Sequence, residues 1–178
     1  MTWEALTAIT SAVTTLVLIA TVVMAGRQIQ LLRRSTQLDG LIRILDEMSD
    51  PAILGSYRFV LEQLSAKMQD PAFRQSVIDG KTAESTHPYL PILQYFEKVG
   101  SFVKFGLLEP DTVYCQAGAP AVKAWDALKE VVAYDRARVG PGTWDGFEML
   151  AHGTIRYFRR MNPNFPSRYQ PRLQNHSR

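Results

Sequence analysis

The sequence predicts an all-α protein: one N-terminal transmembrane helix continuing into a cytoplasmic helical bundle, with an extended basic C-terminal tail. Three observations carry this expectation. No charged residue falls between Glu4 and Arg27. Asp50-Pro51, Asp70-Pro71 and Glu109-Pro110 punctuate the chain with helix-starting pairs, and no segment shows the strict alternation that strands require. After Met161 the run NPNFPSRYQPRLQNHSR has three prolines and no helical period. The expected divisions are an anchor over 1–27, a juxtamembrane helix over 28–49, a helical domain over 50–161 and a tail over 162–178.

The uncharged stretch of 22 residues would be roughly 33 Å long as a helix, against about 30 Å for a hydrocarbon core. Trp3 suits one interface, and Arg27, Arg33 and Arg34 crowd the other end. The bias of basic residues toward the cytoplasm then places the N-terminus outside and the rest of the chain inside. A cleaved signal peptide fits less well, because the arginines follow the apolar run instead of preceding it.

Written in heptads, residues 7–45 put Thr7, Thr14, Thr21, Gln28, Ser35 and Ile42 at a, and Thr10, Val17, Met24, Leu31, Leu38 and Leu45 at d. This seam carries no charge. Arg34 at g and Asp39 at the following e suit pairing between parallel strands. A parallel homodimer through one long helix over about 4–49 is one expectation, with Leu31, Leu38, Ile42 and Leu45 as its contacts. The competing one is that these four dock on the protein's own helices.

In the helical domain, one helix is expected over Pro51–Met68, a short one after Asp70-Pro71, and a polar loop over Asp79–Pro88. Ile92, Phe96, Val99, Val103 and Leu107 share an arc of about 80°, which marks the buried face of the next helix. Gly106 suits its C-terminus and Glu109-Pro110-Asp111 opens another helix. Further along, Ala121, Trp125, Leu128 and Val132 point inward. GPGTWDG (Gly140–Gly146) reads as a loop closed by an N-cap at Thr143.

Chemistry is sparse. His87, His152 and His176 make no metal-ligand pattern, the single Cys115 excludes an intrachain disulfide, and no nucleotide-binding or nucleophile motif occurs. No cofactor is implied. Glu97 sits at the edge of an apolar face, where a carboxylate ordinarily bonds water, a lysine or a helix N-terminus. On the last helix Asp145, Glu148, His152, Arg156 and Arg159 share one stripe, read as a solvated face that follows the helix dipole. Glu97, Glu148 and His152 are thus the alternative polar site, for a tethered enzyme or a small-ligand sensor.

The segment YFEKVGSFVKFGLLEPDTVY and the downstream WDGFEMLAHGTIRYF resemble an uncharacterised bacterial family of short membrane-anchored proteins. The matching positions are Tyr95-Phe96-Glu97, Gly100, Val103-Lys104, Gly106-Leu107-Leu108 and Asp111, then Trp144, Phe147, Glu148 and Leu150. Lys98 departs from the family pattern, as does the longer arginine tail. The resemblance implies a single-pass inner-membrane protein with a helical domain, and leaves the chemistry open.

Charge is unevenly spread. Residues 28–148 hold 13 Lys/Arg against 16 Asp/Glu, whereas residues 149–178 hold Arg156, Arg159, Arg160, Arg168, Arg172 and Arg178 and no acid. Such a tail suits anionic lipid headgroups or an acidic protein partner of unknown identity, with nucleic acid the weaker fit. The reading is a membrane-anchored, non-enzymatic interaction or scaffold protein.

Overall fold

The computed structural model describes residues 3–80 and 87–162, without the side chains of residues 4–12, 30, 33, 34 and 36. Among the described residues the fold is all-α: α1 (Trp3–Met48), α2 (Pro51–Glu62), α3 (Leu64–Lys67), α4 (Pro71–Asp79), α5 (Leu90–Lys104), α6 (Pro110–Val139) and α7 (Asp145–Met161). The chain forms two compact units, Met1–Gly40 and Leu41–Arg178. Residues 81–86 of the expected polar loop and 163–178 of the expected basic tail lie outside the described residues.

The expected transmembrane helix is not borne out. Among the described residues no helix is long and apolar enough to cross a membrane. Thr14, Thr15 and Thr21 interrupt the apolar side chains described over residues 13–26 of α1. The single-pass inner-membrane placement and its orientation fall with the expected transmembrane helix.

Three helices start where local chemistry says they should. The Asp50 carboxylate accepts from Ala52 N at 2.7 Å, and Asp70 repeats this with Ala72 N at 3.0 Å, each followed by proline in the first turn. Glu109 accepts from both the backbone N–H and the hydroxyl of Thr112, at 2.7 and 2.6 Å. The Thr112 hydroxyl bond foremost holds Glu109 below the usual carboxylate range.

The second unit is built on α5, whose Ile92, Leu93, Tyr95, Phe96 and Val99 are buried. α7 packs against both α5 and α6, while α2 covers α5 and α6 from another side. Leu64, Leu128, Phe147 and Leu150 complete the interior. The start of α5 has no side-chain cap of its own. Instead Ser56 of α2 accepts from Ile92 N at 3.1 Å, so one helix completes the first turn of another. Tyr95 donates its hydroxyl to the Ile44 carbonyl at 2.9 Å, joining α5 to the last turns of α1 within this unit.

Two boundaries differ from expectation. Gln63 (φ −120°) divides the helix expected over Pro51–Met68 into α2 and α3, and both Leu64 and Met68 are buried beyond the break. Leu107 is exposed, because α5 ends before it. Gly106 adopts φ +69°, its N–H bonds Val103 O at 3.1 Å, and Leu107 N bonds Phe102 O at 2.9 Å. This paired closure caps the helix and sends Leu108, not Leu107, into the core.

Tyr95→Phe removes one buried hydrogen bond while keeping the ring. The expected cost is about 1 kcal/mol, read as a lower urea midpoint with an unchanged slope.

Candidate functional site: the clamp between α5 and α7

α7 lacks a cap of its own. The expected N-cap, Thr143, instead turns its hydroxyl back to the Gly140 carbonyl at 2.9 Å. Trp144 occupies the cap position in the left-handed region (φ 62°, ψ 30°) and offers no side-chain acceptor. A bulky residue there is strained by about 1–2 kcal/mol. Its indole Nε1 is held by Asp135 Oδ2 at 2.7 Å, and the same buried carboxylate accepts from Arg138 at 2.8 Å. α6 thus fixes the residue that turns the chain into α7.

Glu97 of α5 supplies the missing cap. Oε1 accepts from Gly146 N at 3.1 Å and Oε2 from Phe147 N at 2.8 Å. Both carboxylate oxygens are therefore engaged with the first-turn amides of α7, where the helix dipole also favours negative charge. Charge-assisted bonds of this kind are about twice as strong as neutral ones. Beside them Lys104 reaches Asp145 at 2.5 Å, and that hydrogen bond foremost raises the lysine pKa.

The bond requires a close approach, and two glycines permit it. A Cβ on Gly100 would lie 1.8 Å from the Gly146 carbonyl oxygen, and one on Gly146 would lie 2.7 Å from the Glu97 carbonyl oxygen. The helices meet backbone to backbone at this level. Phe96 and Phe147 stack alongside at 5.1 Å, and Trp125 of α6 meets Phe147 edge-on at 5.0 Å. On the α6 side the same device recurs, with Gly118 against Thr154 and Gly153 against Tyr114.

The stripe on α7 is less solvated than expected. Glu148 accepts from Arg136 of α6 at 2.7 Å, and Arg136 also donates to the Thr143 carbonyl at 2.9 Å while lying 5.9 Å from the Trp125 ring centre. His152 is half-buried, edge-on to Trp125 at 6.0 Å. Burial pushes its pKa down; Glu148 opposes this, and Arg156 and Arg136 reinforce it. Arg160 pairs with Asp111 at 2.6 Å, Arg156 is exposed, and Arg159 is half-buried. Arg168 and Arg172 lie outside the described residues.

On α1 the expected contacts separate. Leu31, Leu38 and Ile42 are exposed, whereas Leu45 packs against the core. The residues that dock α1 into the second unit are Leu41 and Ile44. Docking on the protein's own helices therefore holds for Leu45 alone of the four. Among the described residues no three His, Cys, Asp or Glu side chains are grouped to hold a metal ion.

A domain of unknown function, DUF4760, matches residues 15–154. The chain belongs to the DUF4760 family. No curated protein and no solved structure matches it. The DUF4760 match takes in both sides of the clamp, Glu97 with Gly100 on α5 and Gly146 with Phe147 on α7. Several of the positions that carried the resemblance thus meet at this crossing. Glu97, Gly100 and Phe147 make the contact, Trp144 enters it, and Glu148 braces it. Arg136, Asp135 and Ser56 escaped the sequence reading, since each acts on a helix other than its own.

Three outcomes follow for the DUF4760 clamp. Glu97→Ala should lower stability by about 2 kcal/mol and Glu97→Gln by less, measured by chemical denaturation. Gly100→Ala should cost more than about 3 kcal/mol, because backbone rather than a flexible side chain stands in the way. For His152, the folded chain binds its proton at a lower pH than the unfolded chain, for which about 6.5 is ordinary. Stability is then complete above that pH and falls with acidification, as the unfolded state takes up more protons. His152→Gln should flatten the decline of Tm between about pH 6.5 and 5.

Proposed function

We propose that this DUF4760 chain is a non-enzymatic helical scaffold that self-associates through α1. One observation carries the reading: the apolar d positions of the heptad seam in the first unit, Val17, Met24, Leu31 and Leu38, are all exposed, by 57 to 64%. Exposed apolar rows of this extent mark interaction surfaces. A seam with a repeat of 3.5 residues fits a partner of the same repeat, and a second copy of the chain supplies it in register.

Three heptads with their flanking stems offer on the order of 800 Å² per chain, the size of an ordinary stable interface. The Thr21 hydroxyl is bonded to its own helix at Val17 O (2.8 Å), so contact at that layer is by packing instead of hydrogen bonds across the seam. The polar candidates favour a structural role. Glu97 has both oxygens on amides and Glu148 is engaged by Arg136, leaving neither carboxylate placed for acid–base work. The bacterial origin and recurring motif implied by the resemblance belong to the same reading.

Sedimentation of the full chain tests the proposal. The wild type should be a dimer, and Leu38→Glu should be a monomer with unchanged helical circular dichroism. In a Cys115→Ser background, Leu31→Cys should form a disulfide with its counterpart in a second copy only if the strands are parallel. A monomeric wild type would sink the reading, and a dimer without that disulfide would remove the parallel arrangement.

A further inference from the structure

A cavity of about 520 Å³ lies among α2, α3 and α6, at the level where Gln63 breaks the helical run. Small-molecule sites ordinarily measure about 300–1,000 Å³. Val60, Leu64 and Val131 give it an apolar floor, each of them buried, and Leu61 stands beside them 44% exposed. Arg74 of α4 and Asp126 and Glu130 of α6 supply its charged lining. Every lining residue belongs to the second unit, so the cavity is independent of whether α1 pairs.

The charge on this lining is one-sided. Asp126 and Glu130 lie four residues apart on one face of α6, a like-charged pairing that weakens a helix when nothing bridges it. Among the described lining residues Arg74 is the one cation. Its Nε and Nη2 are committed to the Tyr134 hydroxyl, at 3.1 and 2.8 Å, and to Glu130 Oε1 at 3.0 Å. Glu130 Oε1 also accepts from the Tyr134 hydroxyl at 3.1 Å, and Asp126 Oδ1 accepts from Lys129 at 2.8 Å. Lys129 does not line the cavity, and its pair with Asp126 is exposed on both sides, where such bridges hold weakly. Among the described residues, Glu130 Oε2 and Asp126 Oδ2 accept no hydrogen bond. Both carboxylates are open to solvent, at 50 and 64% exposed.

We infer that this cavity is a binding site for an amphipathic amine, an ammonium group joined to a short apolar chain. An ammonium carries three N–H donors and no acceptor, which suits two carboxylate oxygens one helical turn apart. An anion would meet both acids while the guanidinium is already engaged. A neutral apolar molecule would displace water from the carboxylates without replacing its hydrogen bonds. The amine satisfies the oxygens that the protein leaves open, and its chain lies on Val60, Leu64 and Val131.

The test is a calorimetric titration of the full chain with hexylamine at about pH 7, where the amine is charged, and at constant ionic strength. Saturable binding is expected, weaker by about fourfold for each methylene removed from the chain. Hexanol should bind at least about tenfold more weakly than hexylamine, and hexanoate should not bind. Asp126→Asn should weaken hexylamine about tenfold, whereas Glu62→Gln, at an exposed carboxylate outside the cavity, should leave it unchanged. Ala127→Phe, at an exposed lining position, should abolish binding by filling the space. Asp126 is exposed, so its variant keeps the test informative if Ala127→Phe disturbs folding. Heats that never saturate, hexanol binding as tightly as hexylamine, or equal binding by Asp126→Asn would overturn the site.

Discussion

A helix begins with amide hydrogens that its own backbone does not satisfy, and in this protein two of the central helices leave that need to a neighbour. Ser56 of α2 completes the start of α5, and Glu97 of α5 completes the start of α7. The order is directional: α2 supports α5, and α5 supports α7. The glycine pair at 100 and 146 belongs to the same constraint, because the Glu97 carboxylate reaches its two amides only where the helices touch without side chains between them. Packing and capping at this crossing are one feature.

The helices that were easy to place from sequence are those with local caps. Asp50, Asp70 and Glu109 each bond an amide two or three residues ahead and are followed by proline. Nothing comparable precedes α5 or α7, and the acceptors come from 36 and about 50 residues away. Glu97 was legible as a boundary residue with a helix N-terminus among its ordinary partners, but which N-terminus was not. Trp144 misled for a related reason. GPGTWDG contains a residue suited to capping, Thr143, yet the Asp135 bond draws the tryptophan into the cap position and turns the threonine hydroxyl to Gly140.

α1 shows the limit of periodicity more sharply. The heptad reading grouped Leu31, Leu38, Ile42 and Leu45 on one seam, and the residues that enter the second unit, Leu41 and Ile44, lie off it. The same helix therefore presents one apolar face to its own core near its C-terminus and leaves a different one uncovered. A hydropathy pattern records that both faces are apolar. It does not record which of them the chain itself covers, because that depends on where α5 places Tyr95 beneath the Ile44 carbonyl.

The indoles around the clamp make it visible to light. Trp125 lies edge-on to Phe147 and beneath the Arg136 guanidinium, and Trp144 donates its N–H to a buried carboxylate. Both chromophores sit in fixed, asymmetric surroundings, while Trp3 is 85% exposed. The two tryptophans held in fixed surroundings are thus both at the α5–α6–α7 junction. The protein carries an intrinsic optical reporter at the crossing on which its second unit depends, with no label to attach.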